Sequence, residues 1–227
     1  TLNSIGVCAY LRGQYSEALK YFQDSLKIAE QMNMSRRIAF AQAGIGDVHL
    51  SCRSFDLAVE AYQISTDYAQ SAGVQSLTVY NLVKQAECLL EQNDISQAMK
   101  LATQARDLSI ENGLNYEQGL AQLLIGQLRI KYAEFNTGSQ AFEQAYLSFS
   151  QDNILEQIKV RLWLGYSLFL SLNRIDALSQ VREAISLVVT YGELVPALKH
   201  TVVQTRDVLI HFLHHVAVEP STRNSIQ

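Results

Sequence analysis

A phase of 40 residues runs through this chain. Small residues stand at Gly6, Gly46, Ala86, Gly126 and Gly165, spaced by 40, 40, 40 and 39. Twelve residues after each comes a second small residue: Ala18, Ala58, Ala98, Gly138 and Ala177. A third series, Asn33, Gly73, Gly113, Asn153 and Gly192, keeps the same interval. A fourth, Tyr15, Phe55, Ile95 and Phe135, is apolar and lapses at Arg174. Series held in one phase mark a stack of equivalent units, none able to bury its apolar face without its neighbours.

Each series has a physical cause. The first small residue is expected midway along one helix, where a second helix crosses closely. The second is expected early in that second helix, at the same crossing. Larger side chains there would force the helices apart, at about 1–3 kcal/mol each. Gly and Asn tolerate the left-handed conformation that closes a helix, so the third series is expected to end the second helix of each unit. The apolar series is expected to anchor the start of that helix on the core. Leu120, Leu123, Leu124, Leu128 and Ile130 recur at helical spacing, and no stretch sustains the two-residue alternation of a strand. The phase predicts helices near 1–12, 15–32, 35–52, 55–72, 75–92, 95–112, 115–132, 135–151, 154–172 and 175–191.

Composition narrows the function. The 227 residues are 48% hydrophobic and include two prolines, and no Ser/Gly-rich linker divides them. One continuous body with an ample core follows. A net charge of −4 argues against direct contact with nucleic acid, which calls for a basic face. No apolar run is long enough to span a bilayer and no secretory leader is visible. Cys8, Cys52 and Cys88 lack metal-ligand spacing and read as buried free thiols of a cytoplasmic protein. No GxxxxGK[ST], HExxH, GxSxG or paired CxxC occurs. An enzyme is therefore not expected, nor is any cofactor. His211, His214 and His215 share a helical face but lack a further ligand nearby, so a polar helix edge is favoured over a metal site.

A small residue, eleven intervening positions and an Ala, with an aromatic four residues on (Ala18 and Phe22, Ala58 and Tyr62), resembles the tetratricopeptide repeat. That repeat has a period near 34 residues, so each helix here gains about one turn. The usual early Trp and closing Pro are absent. Ala102 and Val181 replace the aromatic in two units, which are expected to curve differently. The resemblance implies an all-α, right-handed superhelical solenoid of about five helical hairpins over 1–192, with a truncated first unit. Capping helices over 193–216 and a flexible tail over 217–227 would follow. Loose forty-residue repeats are also similar to those of the bacterial signal-transduction ATPase regulators, such as the maltose-operon activator. That similarity implies a sensor and scaffold module whose partners include other domains of a parent chain. The alternative is a free-standing adaptor that binds a peptide or helix.

In tetratricopeptide-like solenoids the first helix of each unit lines a concave groove. The matching positions here include Asp47, Tyr80, Glu87, Gln127 and Tyr166, which form the candidate site for a protein, peptide or small effector. The chaperone-docking carboxylate clamp is not expected, because Ala43, Val83 and Leu123 occupy its positions. Nor is the Asn ladder of peptide receptors, whose places hold Ser4, Gly44, Lys84 and Leu124. The acidic middle units would favour a basic or polyhydroxylated ligand; equally, the charges could simply solvate the groove. Trp163 reads as core rather than as a recognition platform.

Overall fold

The computed structural model describes residues 1–191. The expected terminator Gly192, the capping helices over 193–216, the histidine cluster and the tail lie outside the described residues. Within them run ten helices: α1 Leu2–Leu11, α2 Tyr15–Gln31, α3 Ser35–Ser51, α4 Phe55–Ser71, α5 Gln75–Glu91, α6 Ile95–Glu111, α7 Asn115–Lys131, α8 Phe135–Ser148, α9 Ile154–Leu170 and α10 Arg174–Tyr191. No strand occurs among the described residues. Tyr15, Phe55, Ile95 and Phe135 are each the first residue of an even-numbered helix, and Arg174 opens α10 in their place.

The turns keep a rhythm of their own. Residues with positive φ stand at Gly13, Asn33, Arg53, Gly73, Asn93, Gly113, Ala133 and Leu172. They recur at about twenty residues, closing the first helix of each unit as well as the second. After each, the next N–H reaches back five residues: Ser54 to the His49 carbonyl at 2.9 Å, Val74 to Ala69 at 2.8 Å. Such bonds satisfy carbonyls that a helix end would otherwise leave bare. Arg53, Ala133 and Leu172 adopt this left-handed geometry without being Gly or Asn, so part of the rhythm is invisible in the residue types.

Asn153 departs from the expected role of terminator. Its φ is −82° and it sits at the N-cap position of α9. The helix before it stops three residues short of expectation because Phe149 turns extended, with ψ 137°. The Phe149 ring is buried against Gly119 of α7, where a Cβ in place of the glycine hydrogen would stand only 2.6 Å from it. The Asn153 side chain accepts hydrogen bonds from the Ser150 N–H and hydroxyl, both at 2.9 Å. This irregular junction is where the phase loses one residue.

Close crossings explain the small residues. A Cβ at Gly6 would meet the Phe22 ring at 2.7 Å, and one at Gly46 would meet Tyr62 at 2.6 Å. At Gly126 it would collide with Phe142. Each glycine is thus the seat of a ring sixteen residues later on the next helix. Ala102 and Val181 stand where the other units carry the ring. They complete the same pairs by volume exchange: Ala86 carries a methyl, and its partner Ala102 has shrunk to match, both fully buried. A Cβ at Gly165 would meet Val181 at 3.0 Å. Interiors pack at crystal-like density, so a methyl gained on one side must be removed from the other. Ala18, Ala58, Ala98 and Ala177 are all 0% exposed.

Consecutive helices pack as antiparallel hairpins, and the odd-numbered helices α1, α3, α5, α7 and α9 also touch one another in series. A continuous apolar seam from Val79 and Val83 through Ala98 and Ala105 to Leu124 and Leu128 joins the middle units. A buried polar thread runs from α5 through α4 to α3: Asn81 donates to Ser65, which donates to the Ala39 carbonyl, each at 2.8 Å. The cysteines split. Cys88 is buried, but Cys8 and Cys52 are exposed rather than packed, Cys52 because it falls at the end of α3.

Candidate functional site

The inner helices frame a cavity of about 390 Å³. Its wall takes Tyr10 from α1, Leu50 from α3, Glu87 and Leu90 from α5, Gln127 from α7 and Lys159 from α9. These recur because residues one and four after each small position, and six before it, fall on one face of successive odd helices. Of the five candidate residues, Glu87 and Gln127 lie on this wall. Asp47, Tyr80 and Tyr166 do not.

Asp47 and Tyr80 instead form the polar heart beside the cavity. Asp47 Oδ1 accepts from the Tyr62 hydroxyl at 2.7 Å and from the Tyr80 hydroxyl at 2.8 Å. One carboxylate thereby ties α3 to α4 and α5. Burial pushes the Asp47 carboxyl up from its usual range, while Lys84 and the two tyrosine hydrogen bonds pull it back. Burial and then the Asp47 charge raise both tyrosines well above normal, so they stay protonated donors. Next to Ser51, Tyr10 shares a hydrogen bond at 2.9 Å, and burial raises its hydroxyl as well.

The middle of the groove is not acidic. Lys84 donates to both Glu87 oxygens, at 3.1 and 2.8 Å, and lies 5.5 Å from the centre of the Tyr80 ring. Burial alone would lower the Lys84 pKa, but Glu87 and Asp47 outweigh it and hold it above the usual lysine range. At the rim, Arg53 pairs with Glu91 at 3.0 Å. Asp47 and Glu87 are therefore both spoken for. Lys159 is different: it lines the cavity half-buried, and among the described residues it makes no ion pair. Burial, then the charge of Lys84, lowers its pKa.

Lys84, Leu124 and Trp163 all stand two residues before the small position, and none of them is among the five candidate residues. The structure puts all three on the wall. For Lys84 and Leu124 the sequence excludes only an Asn ladder, which says nothing of a salt bridge or an apolar seat. Trp163 is half-buried, stacks with Phe142 at 6.1 Å and meets Tyr166 edge-on at 6.1 Å. Tyr166 thus touches the wall through Trp163 without lining the cavity itself. His49 is half-buried on α3. Among the described residues no group of three His, Cys, Asp or Glu could hold a metal ion, and no helix is long and apolar enough to cross a membrane.

No family model matches the chain, and no curated protein matches its sequence. Solved structures match in shape. A Rap protein complexed with competence and sporulation factor has a TM-score of 0.76 at 11% identity, over 99% of this chain and 68% of that one. The Rap conjugation gene regulator of a plasmid, in complex with a Phr peptide, scores 0.75 at 12% identity, over 92% of this chain and 61% of that one. Tetratricopeptide-like repeats of a putative kinesin light chain from Podosopora anserina score 0.59 at 10% identity, over 85% of this chain and 95% of that one. The fold is a tetratricopeptide-like solenoid. At these identities the likeness concerns the solenoid's architecture, and the ligands belong to the proteins that hold them.

Proposed function

We propose that the concave groove holds a peptide or an extended segment of a protein, and that the chain works by binding rather than by catalysis. The cavity bounded by Tyr10, Leu50, Leu90, Gln127, Lys159 and Trp163 carries this reading. It combines aliphatic and ring surface with polar groups fixed on rigid helices, the combination that binding sites need. Two structural neighbours were solved in complex with a peptide or a factor, which supports the same use of the same architecture here. The test is selection of peptides from a random displayed library, then titration against Gln127→Arg in the groove and Gln63→Arg on the exposed outer face of α4. Binding lost in the first variant and kept in the second is the expected result. The reverse would move the site to the outer face.

The proposal extends to a cytoplasmic sensor and scaffold module of a larger bacterial transcriptional regulator, of the maltose-operon-activator type. Support comes from the neighbour that is itself a gene regulator. A reading frame encoding a phosphate-binding loop upstream or a helix-turn-helix downstream is the expected finding. A short frame carrying neither would favour a free-standing adaptor.

A further inference from the structure

We infer that the groove takes the C-terminal end of its peptide at α9, with the terminal carboxylate on Lys159 and an apolar last side chain against Trp163. The inference rests on the groove reading above. It starts from an imbalance of charge. Lys84 is paired with Glu87 and Arg53 with Glu91, whereas Lys159 forms no ion pair among the described residues, and Glu156 and Glu87 act on it only from beyond contact distance. A half-buried ammonium beside leucines is costly unless an anion meets it. Lys84 faces the same cavity and adds repulsion, which an incoming anion would relieve. Glu156, one turn earlier on α9, is engaged by the Tyr116 hydroxyl at 3.1 Å.

Geometry selects the chain end over an acidic side chain. Lys159 and Trp163 are four residues apart on α9, so they lie on one face, roughly 5–6 Å from each other. A terminal apolar residue carries its carboxylate and its side chain on a single Cα, which suits that short span. In an extended peptide an acidic side chain and its neighbour point to opposite faces, and the next side chain on the same face is about 7 Å away. Leu120 and Leu123 on α7 complete an apolar seat beside the ammonium.

Trp163 is the one tryptophan in the sequence, so its fluorescence reports this seat directly. The probes are acetyl-leucyl-leucine, its C-terminal amide, and acetyl-leucyl-glutamyl-leucinamide. The free acid should bind about ten- to a hundredfold more tightly than the amide, as one charge-assisted hydrogen bond allows. Lys159→Met should abolish that preference, Lys159→Arg should keep most of it, and both variants should melt cooperatively. Equal binding of acid and amide, a preference that survives Lys159→Met, or no response to the acid would overturn the inference. Tight binding of the glutamyl amide would overturn the chain-end assignment in favour of an acidic side chain. If acid and amide bind equally and Gln127→Arg abolishes both, the groove reading stands while this inference falls. If Gln127→Arg changes neither, the groove reading falls too.

Discussion

The pairing of each small residue with the ring sixteen positions later can be tested at Gly46 and Tyr62. A methyl added to Gly46 would lie 2.6 Å from Tyr62 Cε1, about 1 Å inside ordinary carbon contact. The ring cannot retreat, because it is 0% exposed and its hydroxyl is held by Asp47 at 2.7 Å. Overpacking of this kind costs about 1–3 kcal/mol. Against it stands the helical preference of Ala over Gly, worth about 1 kcal/mol in mid-helix. Gly46→Ala should therefore be neutral to destabilising by about 2 kcal/mol in the native protein. In a Tyr62→Ala background the ring is gone, only the helical term survives, and the same substitution should stabilise by about 1 kcal/mol. The third unit already holds the methyl-for-ring combination, at Ala86 and Ala102, both 0% exposed in one apolar cluster. Guanidinium denaturation of the four proteins, followed by helical circular dichroism, closes the double-mutant cycle. A coupling on the order of 1–3 kcal/mol is expected. An identical shift of Gly46→Ala in both backgrounds would refute the pairing.

Further outcomes follow from the same packing. Ala58→Leu enters a crossing with no exposed surface and should cost at least about 1 kcal/mol, while Gln63→Ala on the exposed face should be nearly silent in the same denaturation assay. Asp47 has a folded-state pKa raised above that of the unfolded chain, chiefly by burial. The stability it contributes is thus full at low pH and is lost as pH rises through the folded value. Asp47→Asn, which keeps the accepting oxygen, should be more stable than the parent near neutrality, and the gap should close on acidification toward about pH 4. A gap that widens on acidification would mean that the tyrosines and Lys84 dominate Asp47 instead.

Much of this architecture is legible in the sequence because helix packing imposes a fixed demand on particular residues. Gly6, Gly46 and Gly126 are small because a ring occupies the space of their side chains, and Tyr15, Phe55, Ile95 and Phe135 mark where the second helix of each unit begins. The turns at Arg53, Ala133 and Leu172 are not legible, since backbone bonding to the preceding helix holds them left-handed whatever the side chain. Phe149 breaks the expected α8 because Gly119 offers its ring a seat on another helix, a long-range preference that no local pattern announces. The groove is legible in its lining, since Glu87 and Gln127 follow from phase alone. Its charge is not. Residue types suggest an acidic middle, whereas Lys84 neutralises Glu87, two tyrosines occupy Asp47, and Lys159 stays unpaired among the described residues. Trp163 reads as core because it has core neighbours, yet its other edge faces the cavity.

Photo-crosslinking reveals which face of the solenoid a bound peptide occupies. A photoreactive phenylalanine analogue replacing Leu90 lies on the cavity wall, and one replacing Gln63 lies on the exposed outer face of α4. A peptide selected from a random library for binding to the native protein is then irradiated with each variant, and the adducts are read by mass spectrometry. Adducts are expected from position 90, suppressed by excess unlabelled peptide, and none from position 63. Suppressible adducts from position 63, with none from position 90, would place the site on the outer face and overturn the groove reading.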